Sequence, residues 1–195
     1  MSNKELQEQR VKGYFIDAAK QMIKGEGIRS VSARGVSEYA GYSYATLYNY
    51  FKDLKELIFI CVDDFLQEIR DYVKQNSNQD AKSLAGIISK TTTYSNYFVQ
   101  YIGIFDLLFL EKMPEFSFTQ GKSNEICNLI IELTEENWLE LQTEKNWTDE
   151  YRTSKQDKFR LFLAGALLYY LNRRIPSDYR EFLTNLKANI SDILE

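Results

Sequence analysis

Apolar residues recur at three- and four-residue spacing along most of the chain, the period of helices with one buried face. From Lys4 to Lys24 the inward stripe is Phe15, Ala18, Ala19, Met22 and Ile23. A shorter pattern follows Ser32, whose hydroxyl can cap a helix that buries Val36 and Ala40. Gly41 ends it, because glycine reaches the left-handed conformation at little steric cost. Ser43 caps another helix, Tyr44 to about Tyr50, with Leu47 and Phe51 four apart on one inward face. Two short helices so joined make a helix-turn-helix. Tyr44, Ala45, Thr46, Tyr48, Asn49 and Tyr50 are left facing outward. Stability alone does not account for that exterior, since aromatic residues are mediocre helix formers that seek burial.

Beyond it, Asp53 and Glu56 form a capping box for a helix reaching about Gln75, which buries Leu57, Ile58, Cys61, Phe65, Ile69, Tyr72 and Val73. Residues 75 to 80 are polar and without period, and read as a loop. Ala81 to about Tyr101 carries Leu84, Ile87, Ile88, Tyr94, Tyr97, Phe98 and Tyr101; Gly103 breaks it from Ile104 to Lys112, which Pro114 ends. Lys122 to about Lys145 carries Ile126, Leu129, Ile130, Leu133, Trp138 and Leu141. Residues 155 to 174 are apolar nearly all round from Leu161 to Leu171, with Ala164, Gly165 and Ala166 small enough for close helix approach. After Pro176 comes an amphipathic partner with Tyr179, Phe182, Leu183, Leu186, Ile190, Ile193 and Leu194. A helix apolar on all sides needs cover beyond one face of its own domain. The simplest cover is a second copy in a four-helix interface about a two-fold axis, with Phe162, Ala166, Tyr170, Phe182, Leu186 and Ile190 as its residues.

The run Ala40-Gly41-x-Ser43-x-x-Thr46-Leu47-Tyr48-x-Tyr50-Phe51-Lys52-Asp53, followed by Glu56-Leu57, resembles the DNA-binding signature of the TetR (tetracycline-repressor-like) family of transcriptional regulators. Ile16, Ala18 and Ala19, with Gly25 and Gly27, resemble that family's first helix and the turn after it, so the likeness spans residues 14 to 57. It implies an all-α fold of about nine helices: a three-helix DNA-binding domain over residues 1 to 53 and an effector-binding and dimerisation domain over residues 54 to 195. The implied activity is sequence-specific binding of a palindromic double-stranded DNA operator by a homodimeric repressor, which a small apolar or aromatic effector releases. By resemblance Tyr44, Ala45, Thr46 and Asn49 face bases, while Ser32, Arg34, Ser43, Tyr48, Tyr50, Lys52 and Lys55 belong to the surface that meets the DNA backbone, with Arg10 and Lys12 near it. Asn49 suits adenine, and Ala45 and Thr46 suit a thymine methyl. Tyr48 and Tyr50 also admit a second reading, half-buried packing against the first helix. Tyr94, Tyr97, Phe98, Tyr101, Phe105, Phe109 and Trp138, with Phe116 and Phe118 nearby, either line an effector cavity, as the family uses this region, or form ordinary core.

Three departures from the family stand out. Leu54 replaces the lysine common before the two acidic residues of the fourth helix, with Lys52 or Lys55 available to compensate. Gly35 falls inside the first motif helix, where it costs about 1 kcal/mol relative to alanine. Tyr42 occupies a turn position usually held by a small aliphatic residue. No Arg or Lys lies between Arg34 and Lys52, which predicts a shallow salt dependence of binding.

Composition narrows the alternatives. Two prolines and nine glycines in 195 residues favour long helices over a turn-rich β fold. Cys61 and Cys127 are far apart and there is no histidine, so neither a zinc site nor a disulfide framework is expected, and no cofactor. The first ten residues are polar, and the run from Leu161 to Leu171 is about half of the roughly 20 residues a bilayer span needs, so a cytoplasmic location away from the membrane is the expectation. Net charge is −4, yet residues 1 to 60 carry nine basic and seven acidic groups while the rest carry 15 and 21. An acidic body helps turn the amino-terminal end toward DNA. Catalysis is not expected, since Glu132, Glu135 and Glu136 read as a solvated helix face. A remaining alternative is a co-activator or adaptor on the same scaffold, whose carboxy-terminal domain binds a partner protein through a surface groove.

Overall fold

The computed structural model describes residues 2–111 and 119–195; the expected end at Pro114, and Phe116 and Phe118, lie outside them. Among the described residues there are nine α-helices and no strand: α1 Asn3–Glu26, α2 Ala33–Ala40, α3 Tyr44–Leu47, α4 Leu54–Asn76, α5 Ser83–Gln100, α6 Ile102–Phe105, α7 Gln120–Lys145, α8 Asp149–Arg173 and α9 Tyr179–Leu194. Most boundaries follow the apolar periodicity to within two or three residues. Two depart further: α6 gives way after Phe105 to a wider π-helical turn over Asp106–Leu110, and α8 starts six residues early because Thr148 caps it by accepting from the Tyr151 N–H at 3.2 Å.

The chain divides into two compact units. Unit one holds Met1–Gln67 and Tyr101–Phe118; unit two holds Glu68–Gln100 and Thr119–Glu195. Compactness thus cuts the chain elsewhere than at the expected boundary after Asp53. The cause is α4, whose first fourteen residues belong to unit one although it continues unbroken into unit two.

In unit one, α1 buries Val11, Phe15, Ala18, Ala19 and Ile23, with Met22 only half-buried. Its start is closed by a capping box between Ser2 and Glu5, the reciprocal arrangement that satisfies two free N–H groups. Leu57, Ile58, Cys61, Val62 and Phe65 of α4 are all essentially sealed. Gly103 has a different part from the expected helix break: the turn falls at Tyr101 (φ −129°, ψ 67°), and a Cβ on Gly103 would overlap the carbonyl oxygen of Ile23. Glycine is required there because two backbones touch.

In unit two, α5 packs on both α7 and α9, and α8 on α7 and α9. Trp138 is fully buried, edge-on to Phe159 at 5.6 Å, with its indole N–H donating to Thr134 Oγ1 at 3.1 Å. Asn137 of α7 donates to the Ala81 carbonyl at 3.1 Å, and Glu140 accepts the Ser83 N–H at 2.7 Å. A Cβ on Gly86 would collide with the Asn137 amide, so the clamp depends on that glycine. Arg70 reaches both Glu132 (2.9 Å) and Glu125 (3.2 Å).

Candidate nucleic-acid interface

Local signals set the helix-turn-helix. Ser32 accepts the Gly35 N–H at 3.1 Å to start α2, and Gly41 ends it in the left-handed region at φ 77°. Gly35 is tightly enclosed: a Cβ there would stand 3.1 Å from Ser32 Oγ and 3.2 Å from Met22 Cε, so its helix-propensity cost is exchanged for close packing of the cap and α1. Ser43 then caps α3 by accepting the Thr46 N–H at 3.2 Å.

α3 is shorter than its sequence pattern predicts. Regular α-helix stops at Leu47, after which Asn49 N–H bonds to Thr46 C=O (3.1 Å) and Tyr50 N–H to Leu47 C=O (3.0 Å), a tighter three-residue spacing. Phe51 must turn inward to meet Phe15 edge-on at 6.2 Å. Immediately after it Glu56 accepts the Lys52 N–H at 2.7 Å while Asp53 accepts the Glu56 N–H at 2.8 Å. The Asp53 half of the expected capping box is therefore present, while the return bond from Glu56 falls one residue early, on Lys52.

The outer surface of α3 follows the pattern at Tyr44, Ala45, Tyr48 and Asn49. Tyr44 is 54% and Tyr48 42% exposed; their rings meet edge-to-face at 5.0 Å and their hydroxyls share a hydrogen bond at 3.2 Å. That hydrogen bond, ahead of partial desolvation, raises the Tyr48 pKa, and the phenol stays protonated at neutral pH. The Ser43 and Thr46 hydroxyls lie 2.8 Å apart and bond to each other. Ala45 and Asn49 are exposed and Thr46 is half-buried. Leu47 is fully buried beneath them.

Around this patch the expected flanking residues spread out. Arg34 and Lys52 are exposed, Arg34 with Glu38 one turn on at 3.8 Å. Lys55 is half-buried with its ammonium 5.4 Å over Phe59, and Lys12 stands 5.4 Å over Phe51. Tyr50 is half-buried, 6.2 Å from Phe15, so its ring packs against α1. Tyr42 is held likewise, 5.4 Å from Phe15 and stacked on Tyr14 at 6.2 Å, which explains an aromatic residue in that turn. Tyr14 and Tyr39 are exposed tyrosines that sequence reasoning left unassigned. The available signal was that each lies off the apolar stripe of its own helix.

The aromatic candidates further along divide between the units: Tyr94, Tyr97, Phe98 and Trp138 are buried in unit two, while in unit one Phe105 is buried and Tyr101 and Phe109 are half-buried. They pack ring on ring, Tyr94 on Phe98 at 4.9 Å, Tyr97 on Phe98 at 5.8 Å and Phe105 on Phe109 at 5.0 Å. With most of these rings inside, they do not form the surface groove that the adaptor alternative requires.

The residues expected to cover a second copy need correction. Tyr170, Phe182, Leu186 and Ile190 are buried within the chain itself, Tyr170 stacked on Phe182 at 4.2 Å, and have almost no surface left for a partner. The inward stripe of α9 closes on α8 of the same protomer. Phe162 and Ala166 are half-buried, and beside them Leu161 (74% exposed), Ala164, Leu168 and Tyr169 are uncovered. Among the described residues no cluster of His, Cys, Asp and Glu could hold a metal, and no helix is long and apolar enough to cross a membrane.

Comparison with known proteins agrees with this geometry. Residues 15–59 match the family model described as bacterial regulatory proteins, tetR family. The fold is shared with crystal structures of a protein from Shewanella sp. PV-4 assigned to the tetR family of transcription regulators (13% identity, 93% of this chain and 96% of that one, TM-score 0.69) and of a tetR-family transcriptional regulator from Streptomyces coelicolor (15% identity, 93% and 81%, TM-score 0.67). It is shared too with the transcriptional regulator FadR from Bacillus subtilis, solved in complex with stearoyl-CoA (14% identity, 93% and 96%, TM-score 0.63). The chain therefore carries, at residues 15–59, the amino-terminal domain of the tetR family of bacterial regulatory proteins, within a fold shared with TetR-family transcription regulators.

Proposed function

We propose that this protein is a homodimeric transcriptional repressor that binds a palindromic operator through α3 and leaves it when a small apolar effector binds unit two. The observation that carries the reading is the exposed face of Tyr44, Ala45, Tyr48 and Asn49, raised on a buried Leu47 and started by the Ser43 side-chain cap. Nothing in the protomer's own stability calls for two exposed tyrosines there. Arg34 and Lys52, exposed before and after α3, supply phosphate contacts at its flanks.

A second copy is supported by the uncovered stripe of α8. Leu161, Ala164, Gly165 and Leu168 recur at three- and four-residue spacing, small at the centre and large at the ends, a shape that admits an identical helix closely. Leu161, Phe162, Gly165, Ala166 and Leu168 replace the buried residues as the interface assignment. Two reading helices then fit successive major grooves when they stand one turn of DNA apart, roughly 34 to 36 Å.

Effector control is supported by two features. FadR, which shares the fold, holds stearoyl-CoA. In unit two the Thr91 and Thr92 hydroxyls on α5 are sealed from water and have no hydrogen-bond partner, a state that a polar group of a bound molecule would relieve. Because α4 runs unbroken from Leu54 to Asn76, a shift of its end in unit two is carried to its start beside α3. An effector that prefers the wrongly spaced conformation depopulates the DNA-binding one.

The test is a titration of the full chain with duplexes recovered from its own genome by footprinting, against scrambled duplexes at physiological salt. The expected result is two protomers per recovered palindrome and at least a thousandfold preference over scrambled sequence. Equal affinity for both duplexes would overturn the reading.

A further inference from the structure

The half-site chemistry follows from what α3 has left to present, an inference that rests on the DNA-binding reading above. Guanine in the major groove is recognised best by the paired donors of Arg or Lys on O6 and N7. No cation lies on this surface: the sequence has none between Arg34 and Lys52, and Arg34 is on α2 with Glu38 beside it. The hydroxyls are largely engaged with each other, Ser43 with Thr46 at 2.8 Å and Tyr44 with Tyr48 at 3.2 Å, each pair using one of its two protons internally. A lone remaining hydroxyl accepts from or donates to any base and so does not select among them. What stays selective is the Ala45 methyl, the Thr46 methyl left when its hydroxyl turns to Ser43, the Tyr44 ring, and the Asn49 amide. The first three are apolar partners for the thymine 5-methyl group, and the amide matches N6 and N7 of adenine.

We propose that the core of each half-site consists of A·T pairs, read through thymine methyl groups by Ala45, Thr46 and Tyr44 and through one adenine by Asn49, with no guanine contact from α3. The Tyr44 and Tyr48 rings, locked edge-to-face, are the stiff part of this surface.

The experiment selects bound sequences from a randomised duplex pool with the full chain, then replaces each thymine of the selected half-site by uracil and each guanine by 7-deazaguanine, one at a time. Uracil keeps the pairing and removes only the methyl. At least one uracil per half-site is expected to weaken binding about fourfold, the worth of one buried methyl, while 7-deazaguanine changes affinity less than twofold. Thr46→Ser keeps the hydroxyl bonded to Ser43 and removes the methyl. It is expected to weaken the thymine duplex about fourfold and leave the uracil duplex at its own methyl contact unchanged. A selected half-site centred on guanine, sensitive to 7-deazaguanine and indifferent to uracil, overturns the inference while leaving sequence-specific binding intact. Selection that recovers no common sequence overturns the DNA-reading assignment itself.

Discussion

Unit one and unit two are built from the same kind of helix and cap its ends in the same way, but unit two buries more polar side chains. In unit one, the head, hydroxyls and carboxylates sit at helix ends, exposed, with partners three residues away: Ser2 with Glu5, Ser32 with Gly35, Ser43 with Thr46, Asp53 with Glu56. In the body, Thr91, Ser95, Thr134 and Asn137 lie buried in mid-helix, and some of the contacts that join its helices span 55 residues or more, as in Asn137 to Ala81, Ser83 to Glu140 and Arg70 to Glu125. The caps of the head are set locally, and its Tyr44 and Tyr48 rings are exposed. The body is specified by tertiary fit, and its stability depends on a few sealed side chains.

The contrast breaks most visibly at Trp138. Trp138→Ala is expected to destabilise the protein by about 4 kcal/mol, through lost burial and the cavity left behind, as read by urea denaturation. Tyr44→Ala, on the exposed head, is expected to change stability by less than about 0.5 kcal/mol while weakening DNA binding. A comparable loss of stability from both would erase the distinction.

Glycines sharpen the comparison next. Gly86→Ala is expected to destabilise by about 2 kcal/mol despite alanine's higher helix propensity, because its methyl meets the Asn137 amide and the Ala81 carbonyl. Gly165→Ala meets nothing within 4 Å in the protomer, so it gains up to about 1 kcal/mol of helix propensity there. If a second copy packs on that stripe, the same methyl weakens the dimer, which sedimentation at graded concentration reads directly.

These elements also show where sequence reading succeeds. Gly41, Ser43 and Asp53 act through their immediate neighbours, so the caps and the helix-turn-helix were legible from residue type and spacing. The end of α3 was not, because it is set by Phe51 turning onto Phe15, thirty-six residues upstream. Gly103 reads as a break in an apolar pattern, whereas its necessity comes from the Ile23 carbonyl in another helix. The stripes of α8 and α9 were recognised as apolar, but periodicity cannot say whether a stripe is covered by its own chain or by a copy. Tyr170, Phe182, Leu186 and Ile190 are covered by the chain itself, whereas Leu161 and Leu168 are exposed.

Titration separates the units more finely. Burial pushes the Cys61 thiol in unit one up to about 12 and raises the Tyr94 phenol in unit two as well. Each folded group keeps its proton where the unfolded one has lost it, so stability is full below the unfolded pKa and falls as pH rises beyond it. The decline from Cys61 is expected to begin near pH 9, that from Tyr94 about one unit higher, and Cys61→Ala should flatten only the first part of the curve. On the acid side Glu125 has the reverse sign. Lys122 first, then Arg70, hold its pKa below the ordinary range, so its contribution is present at neutral pH and disappears as pH falls below about 4. With a third of that side chain exposed, Glu125→Gln should cost only a few tenths of a kcal/mol at pH 7.

The central claim, that the exposed face of α3 reads bases, is tested most directly by Asn49→Ala. Its affinity should be measured on a selected duplex and on a scrambled one at the same salt concentration. Loss of a paired amide-to-adenine contact predicts that the ratio of the two affinities falls at least tenfold while binding to the scrambled duplex is unchanged. A variant that keeps the wild-type ratio, or loses affinity for both duplexes equally, would contradict the account.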